Sequence, residues 1–281
     1  MAFGDTPGEQ LSDYSVLAQH YDRTYNSIFE DRCNDIALAH GLIQEFHPGP
    51  KSLLDLGTGT GQILSSFQGV IDELVGLDIA PEMLEIARAK VPGADFVEAD
   101  MSDFELGQQF DVAICLFDAI NHLSDFEQWK GLFARAEQHL NRGGIFIFDM
   151  ATLGSLGRAA VSHDNENWPI DDGEYRLTVT QLTESDFVSN FTVMLDGQNG
   201  LAEAATGSIY EVAFPIGLVK AAAAEHFVQL LDFDARPDLL DTGTVELASD
   251  EAARAMFVYR KPWLADNTDG FSRRISQAQT A

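Results

Sequence analysis

Three short segments hold the residues best suited to chemistry. In Leu53-Leu54-Asp55-Leu56-Gly57-Thr58-Gly59-Thr60-Gly61-Gln62 an apolar run passes straight into three alternating glycines. Without side chains, the backbone there can turn tightly and approach a ligand at the head of the next helix. A second run, Leu74-Val75-Gly76-Leu77-Asp78-Ile79, ends on a carboxylate that can accept hydrogen bonds from both hydroxyls of a ribose. The third, Phe96-Val97-Glu98-Ala99-Asp100-Met101, offers Asp100 to the amino group of an adenine and Met101 to the face of its ring. Glycine loop and Asp78 would serve either of two nucleotide cofactors. A dinucleotide site, however, wants its last glycine one position later, where this chain has Gln62.

The surrounding pattern says what must position these residues. Apolar positions at helical spacing (Val16, Leu17, Tyr21 and Tyr25, then Ile36, Leu38, Leu42 and Ile43) predict helices ahead of the first strand, stopped by His47-Pro48-Gly49-Pro50. Short apolar runs at 52–56, 73–79, 94–98, 110–117 and 144–150 read as parallel strands covered on both faces. Between them, Pro81 suits a first helical position, and Ser124-Asp125-Phe126-Glu127 reads as a capping box. Strands alternating with helices predict an α/β fold with a doubly wound sheet. Beyond Thr152 the runs become β-rich and are separated by polar turns, which predicts an antiparallel β insertion after the fifth strand. A helix over about 216–231 and two last strands near 238–247 and 253–259 follow. The resulting division is a helical cap over 1–50, a cofactor-binding core over 51–152, the insertion over 153–215, the remainder of the core over 216–263 and a fraying tail over 264–281. Trp168, Tyr175, Phe191, Tyr210 and Phe214 of the insertion are expected to form its own core rather than a cation-binding cage.

Composition narrows the partners. Seventeen lysines and arginines against forty-five aspartates and glutamates leave a formal charge of −28, the sign of a phosphate backbone, which argues against nucleic acid. A sparse-lysine surface of this kind suits a high-salt cytosol or an ordinary acidic soluble protein. Two cysteines, Cys33 and Cys115, cannot build a disulfide framework. No apolar stretch approaches the roughly 20 residues of a spanning helix, and the start lacks a signal pattern, so the expected location is cytoplasmic, without membrane contact.

Taken in order, Asp55 to Gly61, Asp78, Asp100-Met101 and Phe110-Asp111-Val112-Ala113-Ile114-Cys115 resemble the class I S-adenosylmethionine-dependent methyltransferases. The resemblance runs over about 14–262. It implies a seven-stranded Rossmann-like sheet whose last two strands form a reversed hairpin, with S-adenosyl-L-methionine as cofactor. It also implies that the backbone around Gly57, Thr58, Gly59 and Gly61, supported by Asp55, lies against the amino-acid part of the cofactor. Asp78 would hold the ribose, Asp100 and Met101 the adenine, and Leu116 and Phe117 would flank the cofactor, with Ile79 and Met83 beside it.

A narrower resemblance rests on Tyr14-Ser-Val-Leu-Ala-Gln-His-Tyr21-Asp22, on Cys115-Leu-Phe-Asp118-Ala-Ile-Asn121-His122-Leu123 and on the insertion after Phe148-Asp149-Met150. These segments look like the small-molecule N-methyltransferases that act on amino sugars and, more distantly, on glycine. The resemblance implies a helical cap whose Tyr14 and Tyr21 line the site, Arg32 pairing with the methionine carboxylate, and His122 facing the acceptor amine. Asp118 and Asn121, where those enzymes often have smaller residues, are the candidate acceptor contacts. No metal is expected.

Methyl transfer from a sulfonium requires nucleophile, methyl carbon and sulfur in line, with water excluded. An alkylamine must also lose a proton before it attacks. His122, as an imidazole, is the candidate acceptor of that proton, and Tyr14 the group that orients the amine. The same residues admit oxygen, sulfur or carbon nucleophiles, a nicotinamide-dependent enzyme or a non-catalytic cofactor-binding protein. The charge favours a small neutral or cationic acceptor over a nucleotide-linked sugar, whose diphosphate would find only Arg158 and Arg176 in the insertion. A homodimer is compatible with all of this.

Overall fold

The continuously apolar runs become the interior of one sheet. The computed structural model describes residues 12–28, 32–162, 166–197, 200–235 and 246–263. Seven strands lie in the order β10-β11-β5-β4-β1-β2-β3: β1 (Ser52–Leu56), β2 (Glu73–Asp78), β3 (Asp95–Glu98), β4 (Phe110–Cys115), β5 (Leu140–Ala151), β10 (Val228–Asp234) and β11 (Arg254–Arg260). The first five pair in parallel, while β11 runs antiparallel to β5 and β10 antiparallel to β11. All five residues of β1 are buried, as a central doubly covered strand requires.

Each face of the sheet has its own core. On one, Trp129, Leu132 and Phe133 of α5 (Phe126–Gln138) and Val219 of α7 (Ile216–Ala223) pack on Phe146, Phe148, Phe257 and Tyr259. On the other, Ala39, Leu42 and Ile43 of α2 (Arg32–Phe46) and Ile63 and Leu64 of α3 (Gln62–Ser65) cover Leu53, Ile114 and Ile147. Trp129 is fully buried, so its truncation to alanine would cost about 3–5 kcal/mol. Pro81 is the first residue of α4 (Pro81–Lys90). The cap of α5 is Asp125, which accepts from the Gln128 N–H, and Gln128 rather than Glu127 reaches back to Ser124.

The insertion forms a second, wholly antiparallel sheet in the order β6-β7-β8-β9: β6 (Glu166–Ile170), β7 (Gly173–Gln181), β8 (Asp186–Gly197) and β9 (Gly200–Val212). It is preceded by α6 (Leu153–Val161), a helix capped by Thr152 that the β-rich pattern did not predict. Leu17 of α1 (Tyr14–Ile28) packs with Tyr175, Phe191, Val193 and Ile209 of this sheet. Tyr175 and Phe191 are buried there, and Phe214 packs on Phe126 and Trp129. Tyr175 and Phe191, with Trp168 against them, are core of the insertion as expected, whereas Phe214 packs into the core of the main sheet and Tyr210 belongs to neither; α1 lies between the insertion sheet and α4.

One element ends elsewhere than predicted. The helix expected to reach 231 ends at Ala223, and Val228–Asp234 is the strand β10; the strand expected near 238–247 lies outside the described residues, apart from 246 and 247, which are in no strand. Phe227, Leu230 and Leu231 continue a helical spacing, but antiparallel pairing with β11 decides the conformation, with an irregularity between Gln229 and Leu231. Among the described residues, no helix is long and apolar enough to cross a membrane.

Candidate active site

At the carboxyl ends of the parallel strands lies a cavity of about 650 Å³. This is the crevice where an open α/β sheet binds its ligands. Tyr14, Tyr21, Asp55, Gly57, Thr58, Gly59, Asp78, Ile79, Met83, Asp100, Met101, Leu116, Phe117 and His122 all line it. Gly61, Asp118 and Asn121 do not, and the side chain of Arg32 lies outside what the structure describes.

The glycine loop is shaped by close approach. Gly57 has φ +74°, and a Cβ there would stand 2.8 Å from the Ala119 Cβ, so both conformation and space demand glycine. Gly61, with φ +72°, opens α3 against Ala87 and Val91 instead of facing the cavity. Asp55 is buried beneath the loop and accepts the Thr58 hydroxyl at 2.7 Å; burial pushes its carboxyl up to about 7. Asp78 accepts the Gly59 N–H on Oδ2 at 2.7 Å and the Ala80 N–H on Oδ1 at 2.9 Å. Burial pushes its carboxyl upward too, against those two bonds. Asp100 Oδ1 accepts both the N–H and the hydroxyl of Ser102, and Met101 packs at the edge of the apolar core.

The opposite wall is assembled by long-range bonds. The short 3₁₀ turn Ala119–His122 follows β4 and ends on His122. The His122 Nδ1 lies 3.1 Å from the Tyr210 carbonyl oxygen, and Nε2 lies 2.8 Å from the Tyr14 hydroxyl. A carbonyl can only accept, which puts the proton of the neutral ring on Nδ1 and leaves Nε2 to accept from Tyr14. The two rings meet edge to face at 5.1 Å.

Asn121, expected to touch the acceptor, has a different environment. It is fully buried, donates to the Ala151 and Val212 carbonyls at 3.0 and 2.9 Å, and accepts the Ala151 N–H. Those bonds occupy its amide and pin the turn to both sheets, so it is not an acceptor contact. Asp118 also stays out of the cavity lining; its N–H donates to Asp149 Oδ1 at 2.8 Å. Phe117 and Asp118, with φ of +59° and +52°, are the two non-glycine residues with positive φ among those described. Such a conformation costs about 1–3 kcal/mol per residue.

Where α1 crosses the glycine loop, Asp22 accepts the Thr60 hydroxyl and the Lys90 ammonium, each at 2.5 Å; Lys90 also reaches Thr60 and Gln62. Sequence reasoning missed Thr60, Gln62, Ser12, Asp13, Ser124, Gln128 and the Tyr210 carbonyl. Ser124 and Gln128 had a signal in the helix-start pattern beside His122, whereas nothing local marks residue 210.

Residues 53–144 match the family model described as a methyltransferase domain. The chain is 31% identical over 150 residues to dTDP-3-amino-3,6-dideoxy-alpha-D-glucopyranose N,N-dimethyltransferase of Streptomyces fradiae, covering 53% of this chain and 59% of that protein. The chain is thus similar to methyltransferases over about half of its length. It spans less than two thirds of the curated relatives it matches. The methyltransferase fold extends further than that alignment. A methyltransferase structure from Clostridium acetobutylicum superposes with a TM-score of 0.68 at 17% identity, over 86% of this chain and 99% of that one. An amino pentose methyltransferase from Micromonospora echinaspora, solved with S-adenosylmethionine bound, gives 0.66 at 22% identity, over 84% and 96%.

The residues lining the cavity fit S-adenosyl-L-methionine, the cofactor that the sequence resemblance implies. The side-chain-free surface at Gly57 and Gly59 gives the backbone close access to a ligand. The Asp78 carboxylate lines the same cavity, as does Asp100 beside Met101. No group of His, Cys, Asp and Glu able to hold a metal occurs among the described residues.

Proposed function

We propose that the chain transfers a methyl group from S-adenosylmethionine to the nitrogen of a small-molecule amine. The observation that carries this reading is the Tyr14–His122–Tyr210 chain of hydrogen bonds ending in the cofactor cavity. S-adenosylmethionine supplies a methyl group whose carbon–sulfur bond breaks as the nitrogen lone pair bonds to the carbon. The protein's part is to align the amine and take its proton. Tyr14 receives the ammonium proton on its oxygen as its own proton passes to His122 Nε2. The Nδ1–H stays on the Tyr210 carbonyl, which holds the ring in place and favours the imidazolium formed. The glycine loop, Asp78, Asp100 and Met101 hold the cofactor, while Leu116 and Phe117 exclude water beside it.

The acceptor in this reading is an amine without phosphate. The name of the Streptomyces fradiae relative specifies a dTDP-linked amino sugar, and a diphosphate needs cations. In the present chain Arg158 is paired with Glu251 and Arg176 with Glu174. The cavity lining carries Asp13, Asp78, Glu82 and Asp100, and the chain as a whole carries −28. Such surroundings favour a neutral or cationic acceptor. A panel of free amino sugars, amino acids, polyamines, alcohols, thiols and nucleotide-linked amino sugars, assayed by S-adenosylhomocysteine release, tests this. Transfer is expected to free amines; selective methylation of alcohols, thiols or nucleotide-linked sugars would reject the reading.

A further inference from the structure

Two consecutive strained residues survive only where their surroundings hold them, and the Phe117–Asp118 turn is held from outside. Asp149, near the end of β5 and 1% exposed, takes the Asp118 N–H on Oδ1 at 2.8 Å. Its Oδ2 lies 3.3 Å from Nε of Arg254 on β11. Arg254 in turn donates from both terminal nitrogens to Asp35 of α2, one of the two bonds measuring 3.1 Å. The same guanidinium stands 6.0 Å from the centre of the Phe117 ring. One ion network therefore meets both strained residues, at the N–H of one and the ring of the other. Phe117 lines the cavity, and the turn leads directly into Ala119–His122.

A buried ion pair adds little net stability compared with apolar side chains packed in the same space. The geometry that the network imposes is the better account of it. We propose that Asp149, Arg254 and Asp35 are positioning residues that hold the Phe117–Asp118 turn and thereby place Phe117 and His122 against cofactor and acceptor. The inference rests on the methyl-transfer reading of the cavity.

Glycine adopts a φ near +52° without support, which gives the test its form. Asp149→Ala is made in the unaltered chain and again in an Asp118→Gly background, reading the Kd of S-adenosylhomocysteine by calorimetry and kcat by its release. In the unaltered background the substitution should weaken binding and lower kcat by about tenfold or more each, the scale of losing a charged hydrogen bond. In the glycine background it should change either by less than about threefold, because the residue that Asp149 anchors is no longer strained, while Arg254 still faces Phe117. Asp149→Asn keeps an acceptor for the Asp118 N–H and should recover most of both. Equal losses in the two backgrounds, or none in the first, would overturn the proposal, since a network that only stabilises the fold is blind to residue 118. Should Asp149→Ala not fold, Arg254→Met carries the same cycle. A chain that binds S-adenosylhomocysteine yet methylates no amine would sink the proposed function alone, because the Kd cycle reads the turn without turnover.

Discussion

The wall of the cavity proposed to hold the cofactor is built between Asp55 and Phe117 from the tips of neighbouring strands, with parallel pairing fixing their order. The facing wall joins α1, the 3₁₀ turn and β9 by side-chain bonds that span 108, 88 and 91 positions of sequence. In the first wall backbone amides and glycines do the holding, so the geometry comes with the fold. In the second, the position of one imidazole depends on how an inserted sheet docks. A domain built this way can keep its cofactor while its acceptor changes, since the insertion can be remodelled without disturbing β1 to β4. Damage to the two walls should therefore separate cleanly into affinity for the cofactor and rate of transfer.

The largest effect is expected where that separation is sharpest. His122→Ala should lower methyl transfer by about 10²–10⁴-fold, the usual contribution of a positioned proton acceptor, with the Kd for S-adenosylhomocysteine unchanged. Asp78→Ala should do the reverse. It leaves the Gly59 and Ala80 amides without their charged acceptor and weakens cofactor binding by about 10²-fold, on the scale of two hydrogen bonds to a charged group. Calorimetry and saturating-substrate rates on both variants decide it. If either variant loses both properties together, the walls are not independent and the contrast between them fails.

This contrast also explains what the sequence could tell. Asp55, the glycines, Asp78 and Asp100-Met101 were legible because each motif lies at a strand end, where local pattern and ligand contact coincide. His122 and Tyr14 came only through resemblance to a family, since a bond across 108 positions leaves no local trace. Asn121 was misassigned for the same reason: a polar residue beside a candidate base looks like a ligand contact until Ala151 and Val212 are brought to it by the fold. The helix expected to reach 231 gives way to β10 because pairing with β11, which no local pattern announces, outweighs a short helical spacing. The Phe117–Asp118 strain had no sequence signal, because Asp tolerates a positive φ in many ordinary turns and nothing local marks a Phe that adopts one.

A second effect belongs to the cofactor wall and reads its burial. Asp55 is held neutral up to about 7, whereas in the unfolded chain it ionises near 3.8. Between those values the folded state keeps a proton that the unfolded state has lost, so this residue makes stability fall as pH rises from about 4 to 7, with the full penalty present above 7. A displacement of that size corresponds to about 4 kcal/mol. Asp55→Asn keeps an acceptor for the Thr58 hydroxyl and removes the titration. Urea unfolding of both chains at pH 4.5 and pH 8 should show the variant gaining on the unaltered chain as pH rises. A constant difference between the two would mean that Asp55 is ionised in the fold throughout.

The smallest effect is expected where the walls meet. Asp22 of α1 accepts from Thr60 of the glycine loop and from Lys90 of α4, so this clasp fastens the helix bearing Tyr14 and Tyr21 over the cofactor loop. The paired side chains are 23% and 32% exposed, partly screened by solvent, and such pairs contribute about 1 kcal/mol or less. Lys90→Gln should accordingly raise the Kd for S-adenosylhomocysteine only about three- to fivefold. The change should lie in the dissociation rate, because a loosened cap releases ligand sooner without altering the contacts that hold it. Salt should have the same influence on the unaltered chain, speeding release as ionic strength rises, and that dependence should flatten in the variant. Stopped-flow displacement at low and high salt measures both. A Kd shift carried instead by the association rate would mean that Lys90 acts by drawing ligand in, leaving α1 with no part in retaining it.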